Sequence, residues 1–116
     1  MSFKNQLITN LTEQLHALTG ADAHGSFSVD AVTVVNLIDE IADLNSTTPS
    51  FTHLMIQVDG GEVRHTVNES DPTITAGFQV EDKQGWVRSR RYAAQARFIA
   101  ETGTVTIFWQ KLSTGG

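Results

Sequence analysis

The chain has 116 residues, the length of one ordinary domain, which excludes a two-domain enzyme built around an interdomain cleft. With 40% hydrophobic and 18% charged residues it is too apolar for a disordered chain, and no apolar run approaches the roughly 20 residues that cross a bilayer, so no membrane partner is expected. Eight Lys and Arg against 13 Asp and Glu give a net charge of −5, the wrong sign for a protein held to nucleic acid by its overall field, and the lack of cysteine excludes disulfides, thiolate catalysis and cysteine-ligated metals.

The chain opens on Met1-Ser-Phe-Lys-Asn5, with one lysine and no continuous apolar stretch behind it, which predicts synthesis in the cytoplasm without a secretory signal. Phe3, Leu7, Leu11, Leu15 and Leu18 then recur at helical spacing and line up one apolar stripe, with Ser2 placed to cap the helix and Gly20 to stop it. A second helix is predicted from about Val32 to Leu44, where Val34, Leu37, Ile38, Ile41 and Leu44 share a face and Asp30 stands at the cap position. The run Val32-Thr-Val-Val35 opposes that reading, because β-branched side chains lose rotamer freedom in a helix and suit strands. Residues 1–50 hold six acids and the single base Lys4, so the whole acidic excess lies in this half. The polar stretch Asn45-Ser-Thr-Thr-Pro-Ser50 is the expected hinge.

Beyond it the period changes from 3.6 to 2. Leu54, Ile56 and Val58 alternate with polar neighbours, Asp59-Gly60-Gly61 supplies a turn, and Val63, His65 and Val67 alternate again, which reads as a hairpin. Short strands are expected at Gly77–Glu81 and Trp86–Arg90, and two longer ones, Ala94–Ala100 and Thr104–Leu112, joined through Glu101-Thr-Gly103. The expected fold class is therefore α+β: an N-terminal helical arm of two helices over residues 1–50, followed by a small antiparallel β-sandwich or barrel over 51–116. A β core this small gains from a partner, and the leucine stripe leaves apolar surface seeking one, so a homo-oligomer, with a trimer favoured, is expected.

Candidate chemistry is sparse. His16, His24, His53 and His65 show no spacing that converges two of them on one ion, so no metal or other cofactor is expected. Asp39-Glu40 and Glu81-Asp82 are adjacent carboxylates that point apart in a helix or strand and read as solvated charge. The chain lacks a Gly-x-Ser-x-Gly elbow, a phosphate-binding glycine loop and a dinucleotide fingerprint, and the expectation is a protein that is not an enzyme. Arg88, Arg90, Arg91 and Arg97, with Trp86 and Tyr92, form a basic segment interleaved with aromatic residues. Acids flank it, and Arg, Trp and Tyr are the residues that anchor protein–protein interfaces, so these positions, together with Phe3, Leu7, Leu11, Leu15 and Leu18, are interface candidates and not nucleic-acid contacts.

Residues 61–77, Gly-Glu-Val-Arg-His-Thr-Val-Asn-Glu-Ser-Asp-Pro-Thr-Ile-Thr-Ala-Gly, followed by the segment from Ala94 to Trp109, resemble a group of small tailed-phage and prophage virion proteins. Val63, Arg64 and Thr66 match the strand of that pattern, Ser70, Asp71, Pro72 and Thr73 its loop, and Gly77 and Phe98-Ile99-Ala100 the remainder; Asn68-Glu69 replaces an Asp-Gly and His65 an aromatic residue. The same loop resembles the β-sandwich modules appended to chitobiase-type glycosidases. The resemblance implies a structural part of a virion, made in the host cytoplasm: a head decoration or cement protein whose partner is the major capsid protein or another virion protein. A glycan-binding module, or a head–tail or tail adaptor, is the alternative it implies.

Overall fold

The computed structural model describes residues 16–18, 23–47, 51–67 and 70–113. They form an antiparallel β-sandwich. One sheet holds β1 (His16–Ala17), β2 (His24–Asp30), β4 (His53–Asp59), β7 (Gly85–Ser89) and β9 (Thr104–Ser113); the other holds β3 (Val35–Asn36), β5 (Val63–Thr66), β6 (Phe78–Val80) and β8 (Arg97–Ala100). In the first sheet β9 is central, with β2 and β1 in succession along one side and β4, then β7, on the other. The second sheet runs β3-β8-β5-β6. Two short helices, α1 (Leu37–Glu40) and α2 (Arg90–Ala94), lie between strands.

The alternation in the sequence explains which faces meet. Leu54, Ile56 and Val58 of β4 stand beside Ile107 and Trp109 of β9, and Phe27 and Val29 of β2 stand on the same face. Opposite them, Val63 and His65 of β5, Phe98 and Ala100 of β8 and Val80 of β6 close the core. Leu54, Val58, Val63, Phe98 and Ile107 are fully buried. At about 25 cal/mol per Å² of apolar surface removed from water, this interlayer is the main stabilising term.

The expected α+β architecture with a helical arm is overturned. His16–Ala17 is strand paired with Leu112 and Ser113, and the Leu18 N–H donates to the Lys111 carbonyl at 3.1 Å; the rest of the first predicted helix, with Phe3, Leu7, Leu11 and Leu15, lies outside the described residues. The second predicted helix shrinks to the four residues of α1. The Asp30 carboxylate accepts from the N–H groups of Val32 (2.9 Å) and Thr33 (2.8 Å), folding a turn where a helix cap was expected. The backbone bends through Val32 and Thr33, only Val35 of the β-branched run enters β3, and Val32 is 87% exposed. Leu37, Ile41 and Leu44 are all buried, but the backbone turns extended at Ile41 and adopts φ 63° at Asp43, so a helical spacing of apolar residues is met by a sequence of turns.

Strands form in each place predicted from residue 54 onward, but α2 takes Arg90 from the end of one and Ala94 from the start of another, so that β8 begins only at Arg97, and two expected hairpins do not form. β4 and β5 belong to different sheets, as do β8 and β9, so Gly60-Gly61 and Glu101–Gly103 are corners that carry the chain between layers. Gly60 (φ 103°) and Gly103 (φ 65°) occupy the left-handed region, where a side chain would strain the backbone. The corner at Gly60 is held by the Asp82 carboxylate, which accepts its N–H at 2.9 Å, and by the Lys83–Asp59 ion pair.

Candidate functional site

β6 and β7 are the outer strands of the two sheets on one side of the sandwich, and the interior near them is aromatic. His65 sits within ring-contact distance of Phe98 (5.4 Å between centroids), Phe78 (5.7 Å), Trp86 (6.1 Å) and Tyr92 (6.3 Å). Trp86 and Tyr92 meet edge to face at 5.8 Å. The cluster reaches the surface through Phe78, which is 68% exposed, and half-buried Tyr92, whose ring carries the Arg88 guanidinium at 5.3 Å.

His65 is itself buried, with Nε2 3.2 Å from the Tyr92 hydroxyl; its Nδ1 and the Trp86 indole N–H have no hydrogen-bond partner among the described residues. Burial pushes the His65 imidazole below its usual range by disfavouring the charged form; the neighbouring Phe78 backbone opposes this, and Arg88 adds to it. The neutral ring packs as an aromatic residue.

The candidates from the basic segment separate here. Trp86 is in the core, while Arg88 and Arg91 are exposed. The strand ends at Ser89, whose hydroxyl accepts from the Tyr92 N–H and caps α2, so Arg90 and Arg91 leave the strand alternation. Arg90 turns back to donate to the Leu44 carbonyl at 2.9 Å, tying α2 to the segment after α1. Leu18 is half-buried against the core cluster, and Phe3, Leu7, Leu11 and Leu15 lie outside the described residues.

The loop carrying Ser70, Asp71, Pro72 and Thr73 folds back along the second sheet. The Ser70 carbonyl accepts from the Thr66 hydroxyl, and Asp71 pairs with Arg97 of β8 at 2.6 Å. Pro72 is buried, and Thr73 and Ala76 exchange backbone hydrogen bonds that leave Ile74 47% exposed at the tip. Gly77 (φ 121°) lets the returning chain pass the Arg64 side chain and the Pro72 ring, both 3.4 Å from where a β-carbon would stand. Arg64 donates to Glu101 at 2.7 Å and to the Gly77 carbonyl at 3.2 Å, and Gln79 donates to both Glu101 oxygens.

A second surface feature was not anticipated. The outer face of the first sheet carries a shallow groove of about 450 Å³, lined by Met55, Gln57, Phe108 and Gln110 with His24 and Ser26 at its side. The Gln110 amide donates to the carbonyls of Leu18 and Ala23, both at 3.1 Å, which ties these two residues to β9. Phe108 was legible as a residue on the opposite face from Ile107; its neighbours across β2 and β4 were not, because strand partners are not written in the local period. The same reason hid Phe78 and His65 as one cluster.

Among the described residues no group of three His, Asp or Glu side chains converges on a common point, and no helix is long and apolar enough to cross a membrane. In comparison with known proteins the chain matches no family model, no curated protein and no solved structure.

Proposed function

We propose that this chain is a structural protein of a tailed-phage particle, a head decoration or cement protein that works through protein–protein contacts with the major capsid protein or another virion protein. The observation that carries the reading is the exposed rim of the aromatic cluster. Exposed Phe78, half-buried Tyr92 and the exposed Arg88 guanidinium over its ring lie on a side where both sheets end, with exposed Arg91 next to Tyr92 in α2; these are side-chain types that anchor protein interfaces. Phe78 lies against the buried His65 ring, a contact already made before docking, which lowers the entropy cost of ordering it. The resemblance of the Asp71-Pro72-Thr73 loop to virion proteins supplies the particle. Repetition over many symmetric sites would multiply a modest stabilisation per copy.

The test is the rupture temperature of shells with and without saturating protein. A rise that Phe78→Ala and Arg88→Ala reduce together supports cementing; an unchanged rupture temperature at full occupancy rejects it. A glycan-binding module is the second reading, favoured by the groove on the first sheet, where an aromatic ring and a thioether form an apolar floor beside neutral amide, hydroxyl and imidazole groups. Saturable oligosaccharide binding lost in Phe108→Ala would favour it.

A further inference from the structure

β2 is the longest outer strand of the sandwich, with seven residues paired to β9 and no strand on its other side among the described residues. Outer strands of soluble proteins are ordinarily blunted by lysine, proline, a bulge or brevity, because their unpaired N–H and C=O groups template pairing with another chain. β2, His24-Gly-Ser-Phe-Ser-Val-Asp30, has no lysine or proline, and its register with β9 runs from His24–Gln110 to Asp30–Thr104 without a bulge.

The backbone groups of β2 that have no partner among the described residues can be assigned. The Lys111 N–H donates to the Ala23 carbonyl at 2.8 Å, one step beyond the His24–Gln110 pair. Antiparallel ladders alternate, so Gly25, Phe27 and Val29 direct their N–H and C=O groups at β9, while those of His24, Ser26, Ser28 and Asp30 point away from the sheet. The side chains of these four residues are exposed on the outer face.

We infer that β2 is a self-pairing strand whose partner is β2 of a second copy, joined antiparallel about a two-fold axis through Phe27. In that register His24 faces Asp30 of the second copy and Ser26 faces its Ser28, so the residues whose backbone groups point outward are the ones opposed, and the ladder closes. The register is also self-complementary in its side chains. His24 meets a carboxylate at each end, and the serines meet serines. On the inner face the two half-buried Phe27 rings meet at the axis, the position of closest side-chain approach in a non-hydrogen-bonded pair. A shift by two residues in either direction loses the His24–Asp30 pairing and leaves outward groups at one end unopposed. The two first sheets become one continuous sheet, and a two-fold contact closes without propagating. The inference stands independently of the virion reading.

Sedimentation of the full chain over a wide concentration range tests it. Ser28→Pro deletes an outward N–H that β9 does not use, so the variant is expected to keep the far-UV spectrum and cooperative melt of the parent while dissociating to monomer. His24→Asp sets two carboxylates against each other at both ends and should raise the dissociation constant about tenfold, whereas His24→Lys should lower it. Should Ser28→Pro fail to fold, the opposite signs of the two His24 variants still decide. A parent that stays monomeric at every concentration, or a dimer indifferent to the charge at position 24, overturns the inference.

Discussion

Mild acid should loosen this fold through His65, and replacing that residue should remove the effect. The imidazole lies 5% exposed among four aromatic rings, and its pKa falls below the ordinary 6.5 in the folded chain, chiefly because burial disfavours the cation. The unfolded chain therefore binds a proton at higher pH than the folded one, and stability rises with pH across the interval between the two values. This contribution is complete above 6.5 and is lost as pH falls below it, with a slope that approaches but does not exceed about 1.4 kcal/mol per pH unit, until the folded-state value is reached. His65→Phe keeps an aromatic ring beside Phe98 and removes the titration; the Tyr92 hydroxyl loses its imidazole partner, a change of about 1 kcal/mol at neutral pH. Urea unfolding of both proteins at several values between about pH 4.5 and 8 isolates the difference, since the other groups are common to both. Asp30, lowered from 3.8 by the Thr33 and Val32 N–H groups, contributes stability that is present above 3.8 and is lost as pH falls from there through its lowered value, below this range. Parallel pH profiles for the parent and His65→Phe would refute the assignment of acid sensitivity to this ring.

Gly85→Ala should lower stability by about 3 kcal/mol, because its β-carbon would stand 1.9 Å from the Ile56 carbonyl oxygen and backbone cannot yield as a side chain does; thermal melting measures it. Phe98→Ala, at a fully buried position, should cost about 3–5 kcal/mol in the same assay. Pro72→Gly should cost about 1 kcal/mol by freeing the unfolded chain, with faster proteolysis in the loop before Gly77 as a second readout. Arg88→Ala with Arg91→Ala should weaken particle association and leave DNA affinity undetectable at physiological salt; DNA binding with a steep salt slope in the parent would reverse that assignment.

Local sequence determined the β-rich second half, since strands buried on one face must alternate, and Leu54-Met-Ile-Gln-Val58 and Val105-Thr-Ile107 do so. It also determined that Pro72 and its neighbours form a loop and that His65 faces the core. The strand Ser26-Phe-Ser-Val-Asp30 carries the same alternation, yet it lies between two stretches of helical apolar spacing that dominate a reading of the first half. That spacing was met in other ways. Leu37, Ile41 and Leu44 reach the core through turns: Asp30 accepts the Val32 and Thr33 N–H groups as a helix cap would, but the backbone bends through Thr33 and pairs as β3 at Val35 and Asn36 instead of continuing as a helix, in keeping with the β-branched run. Partner choice was decided only in three dimensions. Gly60-Gly61 and Gly103 read equally well as hairpin turns and as corners between layers, and the selection of corners rests on closing both apolar faces against each other, a condition that involves β2, β4 and β9 at once. The aromatic cluster, the groove around Phe108 and the open edge of β2 all follow from that choice, since each joins residues far apart in the chain that only the packed sheets bring together.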